Sequence, residues 1–300
     1  MSAPAWGFVG LGQIGLPMAR RLAGAVDLLA HDRAVAAAPG LRCTADPAAL
    51  AGCDVVVTCL PDGAAVAEFL FGPDGLAARL APGATVIDCS TTSHAAAVEA
   101  AQRLERVGIG FLDAPVTGMA ARAETGDLTM MVGGSAALLE RHHAGLSAMA
   151  GRIEHMGAVG SGQLAKLINQ LLFDINAAAL AEIMPIAARM GLDPAQITGI
   201  VNSGSGRSFA SETFLPAILQ GRFDRGYPMQ AAYKDLIAGA ELTARHGLPA
   251  PVLAAATATY QQALARGLGA QDKGAMIKLF EEMAGVAFRA RGGAPDQGPS

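Results

Sequence analysis

Charge is scarce in this sequence. Of its 300 residues, 22 are Lys or Arg and 26 are Asp or Glu, for a net charge of −4. No basic run exceeds a pair, which excludes the cationic stripe of a nucleic-acid binder. An anionic substrate must then be held by a few placed groups, not by the overall field. Cysteine is equally sparse. Cys43, Cys53, Cys59 and Cys89 show no C-x-x-C spacing, as expected of buried, reduced thiols in a cytosolic protein. The histidines, at 31, 94, 142, 143, 155 and 246, form no H-x-x-x-H and have no nearby Cys or His partner, so no metal site is expected. No stretch of about 18 apolar residues runs without a charge or breaker. Even Leu171–Met190 contains Asp174, Glu182 and Arg189. A first strand at Trp6 leaves no room for an export signal, so the expectation is a cytoplasmic protein with no membrane partner. Two nucleotide and hydrolase signatures are missing as well. No G-x-x-x-x-G-K-[ST] occurs, and Gly204-Ser205-Gly206 is no G-x-S-x-G elbow.

What is abundant is apolar material, 52% of the chain, enough for one large or two ordinary domains. Short apolar runs fall at Trp6–Val9, Leu28–Ala30, Val55–Thr58, Thr85–Ile87, Gly110–Leu112, Leu128–Val132 and Arg152–His155. Helical stretches begin near Ile14, Ala64, Thr92 and Ser135. This alternation predicts an α/β domain over 1–160, a Rossmann-type doubly wound sheet covered on both faces. After Gly162 the pattern changes. Gln163–Met190 reads as one long connecting helix, and breakers at Gly191, Gly204–Gly206, Gly221, Gly226 and Gly247–Pro249 cut the rest into several helices. An all-α C-terminal domain over 161–290 follows, for substrate binding and oligomerisation, with a flexible Gly/Pro-rich tail over 291–300. A helix so long and apolar needs a second surface, so a homodimer or homotetramer is expected.

Gly10-Leu11-Gly12-Gln13-Ile14-Gly15 places three glycines in a G-x-G-x-x-G register, directly after the first strand and opening a helix. Gly10 permits the tight turn, Gly12 lets backbone approach a pyrophosphate, and Gly15 lets helix and strand pack closely. Phosphates would then meet free N–H groups at the positive end of the helix. Asp32 ends the second strand seventeen residues after Gly15, close to the spacing of a ribose-binding carboxylate. Asp32 favours NAD, while the neighbouring Arg33, able to face a 2′-phosphate, leaves NADP open. Three more segments sit at strand ends, where ligands bind in such sheets: Leu60-Pro61-Asp62, Asp88-Cys89-Ser90-Thr91-Thr92 and Asp113-Ala114-Pro115-Val116-Thr117-Gly118.

GFVGLGQIGLPMARRL at 7–22, DCSTT at 88–92, DAPVTG at 113–118, GSGQLAKLINQ at 160–170 and KDL at 234–236 occur in that order. Through them the chain resembles the β-hydroxyacid dehydrogenases, the family of 3-hydroxyisobutyrate dehydrogenase and tartronate semialdehyde reductase, from Trp6 to about Phe288. The resemblance implies hydride exchange between a nicotinamide cofactor and a small anionic 3-hydroxy acid or its semialdehyde or keto partner. It makes Lys166 the acid/base, and the residue's own setting agrees. In the first turns of the long helix, partly desolvated near the positive helix end, its pKa should fall. It could then pass a proton to or from the substrate oxygen.

Asn169, one turn on, would hold that oxygen. Gln170 stands where some members carry a second Asn, a pattern nearer the tartronate semialdehyde reductases. The resemblance further implies that Thr117 and Gly118 clasp the substrate carboxylate, that Thr91 lies near the nicotinamide and substrate, and that Lys234 reaches the cofactor from the helical domain. The glycine loop, Asp32, Arg33, Leu60 and Pro61 complete the cofactor contacts. Two positions depart from the family. Met119 replaces a second Gly and adds bulk beside the substrate. Arg122 replaces a small residue, either as a solvated helix-start side chain or as a partner for an anionic group. Imine reductases share this architecture but as a class lack a lysine at position 166. A non-catalytic dinucleotide-binding protein would have no reason to keep Lys166, Asn169 and Thr117 together.

Overall fold

The computed structural model describes residues 5–224 and 226–290; the tail expected over 291–300 lies outside them. The chain divides into two compact units, Met1–Lys166 and Leu167–Ser300. The boundary drawn from sequence, between 160 and 161, falls just before the long helix, whereas this division falls within its first two turns.

The first unit is built on a nine-stranded sheet. β1 (Trp6–Val9), β2 (Leu28–His31), β3 (Arg42–Thr44), β4 (Val55–Thr58), β5 (Thr85–Asp88) and β6 (Gly110–Asp113) lie in the order β3-β2-β1-β4-β5-β6, every pair parallel. The chain then adds β7 (Val116–Thr117), β8 (Leu128–Gly134) and β9 (Ala150–Gly157). β8 runs antiparallel to β6 and β7 and parallel to β9. The doubly wound α/β sheet is thus as expected, and every expected strand is present. β3 and β7 were not anticipated, because three residues and two residues are too short to carry a periodic signal.

Alternate residues explain the continuous apolar runs. Phe8, Val55, Val57, Ile87 and Leu112 enter one core, together with Met18 and Leu22 of α1 (Gly15–Ala23). Val9, Val56, Val86 and Phe111 enter the other, with Val66 and Leu70 of α2 (Gly63–Phe71) and Leu104 of α3 (His94–Glu105). Burying each such side chain contributes about 1.5–3 kcal/mol. Asp62 and Ser93 accept backbone N–H bonds that start α2 and α3. A short α4 (Met119–Thr125) follows β7, beginning three residues before Arg122, and α5 (Ala136–Leu146) starts at a Ser135 cap. β9 forms an edge. It is largely exposed, its register against β8 shifts twice, and Arg152 pairs with Glu154 at 2.8 Å.

The second unit is helical, as predicted. α6 (Ser161–Arg189), whose first residues belong to the first unit, is followed by α7 (Pro194–Ser203), α8 (Phe209–Ile218), α9 (Met229–Arg245), α10 (Pro251–Ala265) and α11 (Ile277–Ala284). α6 is long and apolar enough to cross a membrane by length and composition alone. Its inward face instead packs Ala177, Ala181 and Met184 against Phe214, Leu236 and Tyr260. That face also buries Asp174, which is paired with Lys273 and accepts from the Tyr260 hydroxyl at 3.3 Å. The opposite face exposes Ile168, Leu172, Ile183 and Ile186, and Met190 follows just past the helix end, each more than half exposed.

Candidate active site

The glycine loop occupies the point where the chain leaves β1 for β2 on one side and later returns to β4 on the other. Gly10 has φ +98°, and a Cβ there would lie 2.2 Å from the Cys59 carbonyl oxygen. A Cβ on Gly15 would lie 2.0 Å from the Gly10 carbonyl oxygen. Gly12 differs, since a Cβ there would meet nothing within 4 Å. The loop therefore needs Gly10 and Gly15 for its own shape, and Gly12 for whatever approaches it. Gln13 beside it is exposed, and Ile14 precedes an α1 whose start no side chain caps. The donors there suit a pyrophosphate.

Asp32 fixes the loop from below. Its Oδ2 accepts the Leu11 N–H at 2.7 Å, and its Oδ1 accepts those of Ala34 and Val35 at 2.7 and 3.0 Å. Burial pushes this carboxyl up, but the three N–H donors outweigh it and hold the group below its ordinary value. Arg33 is exposed beside it. Across the crevice, Leu60 packs on Gly10 and donates its N–H to the Ser90 hydroxyl at 2.8 Å; Pro61 is exposed at the rim. These residues fit a dinucleotide: open backbone at Gly12 for the diphosphate and a fixed carboxylate at Asp32 for a ribose.

Asp88 and Asp113 stand side by side at the ends of β5 and β6. Asp88 Oδ1 accepts from the Thr58 hydroxyl at 2.8 Å and the Ser90 N–H at 3.0 Å. Burial pushes Asp88 up to about 6 against those bonds. Asp113 is also raised by burial, although it accepts the Gly160 N–H at 2.7 Å and the Gln163 N–H at 3.0 Å. That pair of bonds anchors the start of α6, and with it Lys166, which is only 8% exposed. No role was assigned from sequence to Asp88, Asp113 or Gln163. The signal available was two carboxylates ending adjacent strands with no basic residue beside either.

Thr91, between Ser90 and Thr92, is half-buried on this rim, as is Thr117 at the end of β7. Gly118 follows with φ +141°, where a Cβ would press on Leu128 and Arg122. Met119 then has φ +61°, the only positive value at a non-glycine among the described residues. Such a conformation costs a methionine of order 1–3 kcal/mol, which the second glycine of the family pattern would avoid. Arg122 lies in the last turn of α4, not at a helix start, and its Nε meets Asp127 Oδ2 at 3.1 Å. Asn169, Gln170 and Lys234 belong to the second unit. Asn169 is exposed and its Nδ2 reaches Gln170 Oε1 at 3.5 Å. Gln170 Nε2 donates to Asp235 at 3.4 Å, and Lys234 is exposed on α9. Among the described residues no cluster of three or more His, Cys, Asp or Glu could hold a metal ion.

Residues 5–157 match the model of the NAD-binding domain of 6-phosphogluconate dehydrogenase, and residues 160–280 match that described as NAD-binding of NADP-dependent 3-hydroxyisobutyrate dehydrogenase. Over 289 residues the chain is 35% identical to 2-(hydroxymethyl)glutarate dehydrogenase of Eubacterium barkeri, covering 94% of this chain and 96% of that one. The chain belongs to the β-hydroxyacid dehydrogenase family. Another relative, L-threonate dehydrogenase of Cupriavidus necator, is 38% identical over 285 residues, covering 91% and 95% of the two chains. The crystal structure of a 3-hydroxyisobutyrate dehydrogenase from Salmonella typhimurium superposes with a TM-score of 0.83 at 30% identity, covering 93% of this chain and all of that one. Like the family, the chain is an NAD(P)-dependent oxidoreductase that exchanges hydride with small hydroxy acids.

Proposed function

We propose that the chain oxidises a small 3-hydroxy acid, or reduces its semialdehyde or keto partner, with Lys166 carrying the proton and NAD as the preferred dinucleotide. The nicotinamide ring, when bound, takes or returns the hydride. In oxidation, Lys166 Nζ accepts the hydroxyl proton while the carbinol carbon loses hydride and becomes a carbonyl; in reduction the same ammonium returns the proton. The observation carrying this reading is the burial of Lys166 in the opening turns of a helix anchored by Asp113. Thr117 and the backbone N–H groups after it would hold the substrate carboxylate, and Asn169, one turn beyond Lys166, the reacting oxygen.

NAD is favoured because Asp32 is ionised and fixed: it can accept from a ribose 2′-hydroxyl and repels a 2′-phosphate. The apolar stripe of Ile168, Leu172, Ile183 and Ile186 on α6 supports assembly with further copies of the chain, a homodimer or homotetramer, which sedimentation velocity checks. The deciding experiment mixes the purified protein with NAD⁺ or NADP⁺ and 3-hydroxyisobutyrate, L-threonate or 2-(hydroxymethyl)glutarate, following near-ultraviolet absorbance of the reduced nicotinamide. Lys166→Ala should lower turnover by about 10²–10⁴. Full turnover in that variant would dismiss Lys166. No turnover by the unaltered protein, with tight dinucleotide binding, would dismiss the carboxylate clasp and send the search to cyclic imines.

A further inference from the structure

Gln163 is 2% exposed, and three hydrogen bonds tie it to two parts of the candidate site, the Ser90–Thr92 loop and Asp113. Its Oε1 accepts the Thr92 N–H at 2.9 Å, and its Nε2 donates to the Ser90 carbonyl at 2.8 Å. Its own N–H donates to Asp113 Oδ2 at 3.0 Å. One side chain thus reads a donor and an acceptor on either side of Thr91. A carboxamide does that at any pH, whereas an ionised carboxylate would accept from Thr92 but face the Ser90 carbonyl with another acceptor. Three residues further along α6, one turn up the same side of the helix, comes Lys166. Ser90 is itself held on its hydroxyl by Leu60, so the chain of bonds runs from the cofactor rim to the helix start without a gap.

We propose that Gln163 is a positioning residue for the hydride-transfer reaction, fixing Lys166 in register with the Ser90–Thr92 loop. It touches neither substrate nor cofactor in this role. It sets where the proton carrier stands relative to Thr91, and a misplacement of about 1 Å in such a group can cost 10²-fold in rate. The inference rests on the reading of Lys166 as acid/base, which Lys166→Ala tests by itself. Full turnover in Lys166→Ala removes that reading, whereas the outcomes below concern Gln163 alone.

The test compares Gln163→Leu and Gln163→Glu with the unaltered protein at saturating NAD⁺ and the hydroxy acid turned over fastest. Melting and NADH affinity are measured alongside. Gln163→Leu should lower kcat by about 10–100-fold while NADH affinity stays within about threefold. Gln163→Glu should be similarly slow at neutral pH and recover as pH falls. A protonated carboxyl regains both functions, its O–H donating to Ser90 and its C=O accepting from Thr92. Dividing by the unaltered protein's kcat at each pH removes any pH dependence that the two proteins share. Should Gln163→Leu fail to fold, the pH-dependent recovery of Gln163→Glu still decides. The proposal is overturned by a kcat loss matched by equal loss of NADH affinity or of folded protein, by unchanged kcat in Gln163→Leu, or by a Gln163→Glu ratio flat with pH.

Discussion

Gly12 and Gly15 lie three residues apart in one loop, yet alanine should act on them through different states of the protein. At Gly15 the new methyl would sit 2.0 Å from the Gly10 carbonyl oxygen, with backbone and not a flexible side chain in the way. Loop and helix would have to part by roughly an ångström or more, and overpacking of this kind costs about 1–3 kcal/mol or more. At Gly12 nothing lies within 4 Å, so the folded protein has room. Reduced freedom of the unfolded chain should even add about 0.4–1 kcal/mol of stability. The same methyl stands where the diphosphate would approach. Displacing one charge-assisted hydrogen bond, at about 1.5–3 kcal/mol, weakens binding about tenfold to a hundredfold. Urea denaturation of the ligand-free protein and fluorescence titration with NADH separate the two effects. Gly12→Ala should be stable and bind poorly; Gly15→Ala should be unstable. NADH affinity unchanged in Gly12→Ala would refute the loop as a diphosphate cradle, and equal stability of the two variants would refute the packing argument.

Asp88, at about 6 in the folded protein against 3.8 ordinarily, binds its proton more tightly when folded. Its contribution to stability is therefore present below pH 4 and lost as pH rises through 6. Asp88→Asn should gain on the unaltered protein by up to about 3 kcal/mol over that interval, and a pH-independent difference in urea midpoints would contradict it. Lys273→Ala leaves Asp174 buried without its cation and should cost about 3–5 kcal/mol, while replacing both residues with apolar ones of similar volume should recover most of the loss in guanidinium denaturation. Asp32→Asn, which removes the charge but keeps an acceptor, should raise kcat/KM with NADP⁺ relative to NAD⁺ by about tenfold or more. An unchanged ratio would show that Asp32 does not select the dinucleotide.

The sheet was legible because both its faces are buried: Val55, Val56 and Val57 point alternately into two cores, so the strand reads as an unbroken apolar run. The glycine register and Asp32 were legible because backbone geometry leaves few residue choices there. β3 and β7 were not, since Arg-Cys-Thr and Val-Thr hold position by pairing with longer neighbours. The network through Asp88, Asp113 and Gln163 escaped for a related reason. Gln163 bonds to residues more than seventy positions away, and nothing local marks it. Met119 was visible as a bulky residue in a glycine's place, but its left-handed backbone could be seen only in three dimensions. Arg122, open from sequence between a solvated and a substrate-facing side chain, is paired with Asp127 near the end of α4.

The ends of the sheet bear on how copies of this chain can meet. An unpaired strand offers rows of free N–H and C=O groups to any other extended chain, and long, flat, apolar edges aggregate. Here β3 contributes only three residues at one end. β9 at the other carries Arg152, Glu154 and His155 and is twice thrown out of register. Backbone-to-backbone joining is thereby discouraged at both margins. Any self-association would then fall to side chains, which can be selective about shape and stoichiometry where a naked strand cannot.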